Sequence, residues 1–199
     1  MRLPSLLALW TLSACSGQPD NGDTGETDAA VAASDRSPVA VISSAAPGST
    51  GGVDCRSGEE TIFSCRTTGG KRIAVCATGA GKVEYRYGAG TPELVLEGGR
   101  FASVPYSGGG EAQIVFDNGP VRYVVFSRTI RTNFEAGEPN YPAISDGVIV
   151  LRDDEMLAMS TCDDADAMPV QYDAAEKNME QQDELFTYET GRADPTGVE

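Results

Sequence analysis

The sequence predicts a mainly β fold: a small antiparallel β-sandwich or barrel with two disulfides, a disordered N-terminal tether and a short acidic C-terminal helix. Three observations predict it. From Thr61 onward, short runs rich in Val, Ile, Tyr, Phe and Thr alternate with Gly, Asn and Pro, the spacing of an all-β sandwich or barrel. Four cysteines, Cys55, Cys65, Cys76 and Cys162, accompany that stretch; an even count in a small exported domain reads as two disulfides. Charge is also segregated. Residues 51–161 carry fourteen acids and eleven bases, whereas residues 162–199 carry eleven acids against Lys177 and Arg192. The expected boundaries are residues 1–14 for a signal peptide, 15–52 for a tether, 53–162 for the β domain and 163–199 for an acidic tail with a weak helix.

At the N-terminus Arg2 precedes an apolar stretch from Leu3 to Leu12, a short export-signal pattern. At about ten residues it is too short to span a bilayer as a helix, which takes roughly 20. Residues 16–52 are rich in Gly, Ser, Ala, Asp, Thr and Pro, with one apolar cluster, Val39-Ala40-Val41-Ile42. Such a composition buries too little surface to offset its ordering entropy. As a flexible tether it would have a mean reach of about 30–35 Å.

Strands are expected near Thr61–Cys65, Arg72–Ala77, Lys82–Tyr87, Glu93–Leu96, Gln113–Phe116, Val121–Ser127, Val148–Arg152 and Leu157–Cys162. The clearest hairpin lies around Asp117-Asn118-Gly119-Pro120, because Asn-Gly is a strong turn signal. The register read from it sets Phe116 opposite Val121, Ile114 opposite Tyr123 and Ala112 opposite Val125, all six on one face. Pro120 argues for a wider loop or an edge position, since it has no N–H. Beyond Cys162, Asp173-Ala174-Ala175-Glu176 has capping-box spacing, and Ala175, Met179 and Phe186 form a thin apolar stripe. These predict a short helix from about Ala174 to Phe186 and a disordered tail after Thr190.

The cysteines allow three pairings. Cys65 and Cys76 are symmetric about Gly69-Gly70-Lys71, which suggests a bridge across a hairpin and leaves Cys55 with Cys162. The alternative pairs Cys55 with Cys76 and Cys65 with Cys162.

Chemistry is mostly excluded by residue type. The net charge is −15 and there is no His, so Ser-His-Asp and Cys-His machinery are ruled out. Oxidised cysteines offer no thiolate. No C-x-x-C pair suggests zinc, so neither a metal nor a cofactor is expected. Gly81-Lys82 and Gly70-Lys71 lack the first Gly of a P-loop. The acidic runs Asp153-Asp154-Glu155 and Asp163-Asp164-Ala165-Asp166 lack EF-hand spacing and read as a solvated turn and a charged tail. Without a basic stripe, nucleic-acid binding is not expected. The chain reads as a non-enzyme. Its most distinctive local feature is Tyr106-Ser107-Gly108-Gly109-Gly110-Glu111. Three glycines permit positive φ or close approach, so Tyr106 to Gly110 are a candidate recognition loop or a bulge. In Tyr85-Arg86-Tyr87, alternation exposes either the aromatics or the arginine.

Leu12-Ser13-Ala14-Cys15 resembles the lipobox of bacterial lipoproteins. The resemblance implies cleavage before Cys15, lipidation of Cys15 and anchoring to the membrane, with Ser16 favouring the outer membrane, facing the periplasm or the cell surface. The stretch from residue 55 to 162 is similar to a group of uncharacterised exported bacterial proteins. The shared features are Ile62-Phe63-Ser64-Cys65, Val75-Cys76-Ala77, Tyr85-Arg86-Tyr87-Gly88, the Tyr106–Glu111 run and a late Cys162. This second resemblance implies a shared fold and export, and carries no activity. Two functions are expected to compete: a tethered structural or binding module of the cell envelope with a protein or glycan partner, and an inhibitor of a hydrolase such as lysozyme. The Ser107-containing Gly loop resembles the Ser-Gly loop of lipid-anchored lysozyme inhibitors.

Overall fold

The computed structural model describes residues 51–79, 81–153, 155–183 and 186–194. Every described residue lies in one compact unit, Val41–Glu199. The signal peptide, Cys15 and residues 16–50 of the tether lie outside the described residues, as does Asp154. Among the described residues, no helix is long and apolar enough to cross a membrane.

Two antiparallel sheets form the fold. The first has four strands in sequential order, β1 (Glu60–Arg66), β2 (Arg72–Gly79), β3 (Lys82–Gly88) and β4 (Leu94–Glu97). The second has five, β5 (Arg100–Tyr106), β6 (Gly109–Asn118), β7 (Val121–Arg131), β8 (Pro142–Arg152) and β9 (Glu155–Thr161). All neighbours are consecutive in the chain, so each sheet is a meander built from local hairpins. The main core lies between the sheets. Phe63, Ile73, Val75 and Tyr85 from one meet Phe101, Ile114, Phe116, Tyr123 and Val125 from the other. Strand alternation sends the intervening residues outward, and each outer face has its own small cluster. Val53 and Cys55 cover Ala74 and Cys76 on the first sheet. On the second, Ala102, Val115, Val124, Phe126, Ile149 and Leu151 pack together.

The β6–β7 hairpin forms where the sequence places it, two residues out of the expected register. Asn118 pairs with Val121, Phe116 with Tyr123, Ile114 with Val125 and Ala112 with Ser127. A shift of two preserves strand parity, so the expected residues still share the core face. The turn is the dipeptide Gly119-Pro120, with Gly119 at φ 60°. A positive φ is required only at the first central position of a type II′ turn. Pro therefore sits at the second position, where its own N–H is not needed to close the turn.

Strand β5 was not expected from sequence. Its residues follow Gly98-Gly99 and include Pro105, which breaks a strand signal. Pro105 is tolerated because β5 pairs with β6 alone among the strands.

The two disulfides are Cys55–Cys76 and Cys65–Cys162, the alternative pairing rather than the expected one. The β1–β2 register explains it. Cys65 stands opposite Ile73, while Cys76 stands opposite Thr61. The offset between Cys65 and Cys76 is odd, so their side chains leave opposite faces of the sheet. Cys65 points into the main core and Cys76 into the outer cluster.

The folded unit does not end at Cys162. Residues 163–183 and 186–194 pack along the sandwich as a strap. Met168 exchanges backbone hydrogen bonds with Ser64, and Gln171 N–H donates to Ile62 O, which pairs the free edge of β1. A helix, α1 (Tyr172–Asn178), then buries Ala174 and Ala175 in the main core. It starts two residues earlier than expected and ends eight residues sooner. Met179 is extended, and residues 180–182 instead bridge Phe101 in parallel on the edge of β5. The chain next runs to a 3₁₀ turn at Glu189–Ala193, where Thr190 is buried and Ala193 covers the outer cluster of the second sheet. The tail is thus ordered past Thr190, through the last described residue, Asp194.

Candidate binding surface

The antiparallel order sets the β5–β6 turn and the loop between β7 and β8 at one end of the second sheet. Glycine 110 pairs with Thr129 there. Thr67 bridges Cys162, which brings the β1–β2 turn of the first sheet to the same end.

Tyr106 pairs with Gly109, so the expected recognition loop is a tight turn of two residues, Ser107 and Gly108. Gly108 has φ 82°, the conformation a type II turn demands at its second central position. A Cβ on Gly109 would fall 2.0 Å from the carbonyl oxygen of Thr129, so only glycine lets β6 lie against β7 there. Two of the glycines therefore have a backbone reason. Ser107 is left exposed at the tip.

Around this turn lie residues the sequence reading did not single out. A depression of about 280 Å³ is lined by Tyr106, Ser107, Arg128, Ile130, Arg131 and Phe134. Phe134 is 71% exposed and Tyr141, at the far end of the same loop, is 60% exposed. The Arg131 guanidinium lies 5.1 Å from the centre of the Phe134 ring, and its Nε donates to the Asn133 carbonyl.

Beneath the depression is a buried polar cluster. Glu111 is fully buried. Its carboxylate accepts from Tyr106 Oη at 2.5 Å and from Gln113 Nε2 at 2.8 Å, and lies 3.4 Å from Arg128 Nε. Burial, followed by the Glu111 hydrogen bond, raises the Tyr106 pKa well above its ordinary value. Gln113 also clamps the strap, donating to Thr187 O at 2.7 Å and accepting from Thr187 N–H at 3.1 Å. Arg128 Nη1 is 3.5 Å from Asp194. The cluster therefore fixes both the floor of the depression and the strap from Thr187 to Asp194.

A second, larger hollow of about 600 Å³ lies at the same end, lined by Asp146, Asp163, Asp164, Thr161, Ile144 and neighbours. Asp164 accepts from Arg66 N–H at 3.0 Å. One carboxylate oxygen each of Asp146 and Asp164 is buried without a hydrogen-bond partner. Burial raises the Asp146 pKa against the opposing hydrogen bond of Ser127.

Tyr85 is buried in the main core, as alternation allows, and Arg86 on the outer face is also fully buried. Neither the arginine nor Tyr85 is presented to solvent. Arg86 binds Glu59 through Nη1 and Nη2 at 2.7 and 2.8 Å, and Glu84 through Nε and Nη2 at 2.9 and 2.6 Å. Its hydrogen bond is the main cause lowering the Glu59 pKa. The pair straps residues 53–59 over the first sheet beside the Cys55–Cys76 bridge. Cys55, Glu59 and Cys76 are close enough together to hold an ion, but both sulfurs are spent in the disulfide, and a metal takes the thiolate.

No protein-family model, curated protein or solved structure matches the chain.

Proposed function

We propose that this chain is a lipid-anchored, non-enzymatic module of the bacterial cell envelope, tethered through Cys15, which binds a protein or glycan partner with the end of the sandwich that carries Ser107 and the 132–141 loop. The observation that carries this reading is the exposure of Phe134 and Tyr141 on one loop beside Arg131 and the Tyr106–Ser107 turn. Large aromatics left exposed beside an arginine suit a contact surface, since Tyr, Trp and Arg dominate binding hot spots. The test uses a photo-reactive residue at position 134 in intact cells, with one at Val95 on β4 as control, together with co-sedimentation of the exported protein with isolated cell wall. A cross-link specific to position 134, or co-sedimentation lost in Phe134→Ala, supports the reading. If position 134 behaves like position 95 and sedimentation is unaffected by the substitution, the surface is not the contact.

A second reading, inhibition of a basic hydrolase such as lysozyme, is favoured by the hollow lined by Asp146, Asp163 and Asp164, with no Lys or Arg among the described residues that line it. The strap's acids belong to the folded unit and would add to the steering of a cationic partner. A lysozyme assay with wild type and Asp146→Asn/Asp164→Asn tests it: no inhibition by wild type removes the reading.

A further inference from the structure

We infer that the depression between the Ser107 turn and the 132–141 loop binds a free carboxylate carried on a small apolar group, as at the end of a peptide chain. This rests on the binding-surface reading above and names the ligand class of that surface. The Arg131 guanidinium has five N–H donors and is always charged. Nε is committed to the Asn133 carbonyl. Among the described residues, neither Nη has a hydrogen bond, and no carboxylate forms an ion pair with Arg131. Its neighbour Arg128 is by contrast ion-paired inward, 3.4 Å from Glu111 and 3.5 Å from Asp194. One arginine of the pair holds the structure and the other has four donors to spare.

Those donors are held in place. The Arg131 plane lies by the Phe134 ring, and the tie to Asn133 fixes its inner edge. A Cβ on Gly108 would meet the Arg131 Cβ and Cδ atoms at 3.1 Å, so the Ser107 turn packs on the aliphatic stem. Immobilising a long side chain before binding removes an entropic cost of association. The free edge presents two parallel N–H groups, the geometry that matches a carboxylate in bidentate fashion.

The surroundings select what carries the carboxylate. Tyr106, Ile130 and Phe134 give the depression apolar walls, and its volume of about 280 Å³ suits a small group rather than an extended chain. A chain of net charge −15 repels polyanions at long range, while a single negative charge pays little of that repulsion. The walls further disfavour inorganic phosphate, which is charged on every side and gains nothing from apolar contact. C-terminal carboxylate capture is an established mode of peptide recognition.

The experiment is an NMR titration of the exported, disulfide-bonded protein with N-acetyl-alanyl-alanine, the same peptide as its C-terminal amide, and inorganic phosphate. The free acid is expected to shift the backbone amides of Gly108, Gly109, Arg131 and Phe134. Losing the charge-assisted pair, by the amide or by Arg131→Gln, is expected to weaken binding about tenfold or more. Arg131→Lys, which keeps the charge without the fork, is expected to fall between wild type and Arg131→Gln. Arg152→Gln, at the opposite end of the sheet, should bind as wild type. Equal binding of acid and amide, equal binding by Arg131→Gln, shifts confined to another region, or phosphate binding as well as the peptide acid would each overturn the inference. If the peptide acid does not bind while the cross-link from position 134 persists, the ligand class is wrong and the surface stands. If both fail, the surface itself is wrong.

Discussion

Glu111 and Arg128 stand opposite each other in the β6–β7 register, with the carboxylate 3.4 Å from Nε. Glu111 is fully buried and the Arg128 side chain is 17% exposed. Removing one member of a buried pair strands the other charge, typically at 3–5 kcal/mol. Because Glu111 would keep its hydrogen bonds from Tyr106 and Gln113, Arg128→Met should cost less, about 2–4 kcal/mol. A urea melt should show this as a lower midpoint at unchanged slope. A midpoint within error of wild type would mean that the pair contributes nothing.

The strap behaves as part of the fold. Deleting residues 187–199 removes the Thr187 clamp on Gln113, the Asp194 partner of Arg128 and the Ala193 cover of the outer cluster. Gln113 would then be left without its backbone partner, a loss of about 1–3 kcal/mol for the stranded groups alone. Deleting only residues 195–199 keeps those contacts and should lower the midpoint less. Equal melts for the two deletions would show that the contacts made from Thr187 to Asp194 add nothing to the fold.

Peptide mapping without reduction should recover Cys55 linked to Cys76 and Cys65 linked to Cys162. Their separations are 21 and 97 residues. On the chain-entropy model the longer loop contributes about 4–5 kcal/mol and the shorter about 3 kcal/mol. Cys65→Ser/Cys162→Ser should therefore melt earlier than Cys55→Ser/Cys76→Ser. The reverse order would show that the ties made by residues 53–59 matter more than the strap.

Stability should depend on pH in two opposite ways. Burial lifts Asp146 above its ordinary value of 3.8. A carboxyl with a raised folded pKa supports folding below its unfolded pKa and loses that support as pH rises through the folded pKa. Asp146→Asn should thus gain on wild type between acid and neutral pH. Glu59 is lowered from 4.5 by its Arg86 hydrogen bonds, so its contribution is present above that value and lost as pH falls through the folded pKa. Glu59→Gln should cost most at neutral pH. Thermal melts of both variants at pH 3 to 7 check the two signs. Parallel curves would remove both assignments.

What the sequence makes legible is local. Alternation and Gly119 locate the β6–β7 hairpin, and the four cysteines announce two bridges. Their pairing depends on strand parity, and a guess from symmetry about Gly69-Gly70-Lys71 has no access to the odd offset between Cys65 and Cys76. Pro105 hides β5 because only its neighbours in space make it an edge. The strap is hidden by its acids: Val170, Ala174, Ala175 and Met179 reach the core from a stretch whose average composition reads as tail. At the candidate surface the glycine run draws attention to Tyr106–Gly110. Arg131 and Phe134 lie more than twenty residues away and reach the turn only through the β6–β7 pairing. Phe134 had one sequence signal, a large aromatic in a loop of Gly, Pro, Asn and Glu.

Whether an envelope anchor carries this sandwich, as proposed, is decided at Cys15. Cells fed an alkyne palmitate analogue should yield labelled wild-type protein in the membrane fraction. Cys15→Ala should be unlabelled and released from the membrane. Wild-type protein that takes up no label, or Cys15→Ala that labels and fractionates like wild type, would contradict the claim.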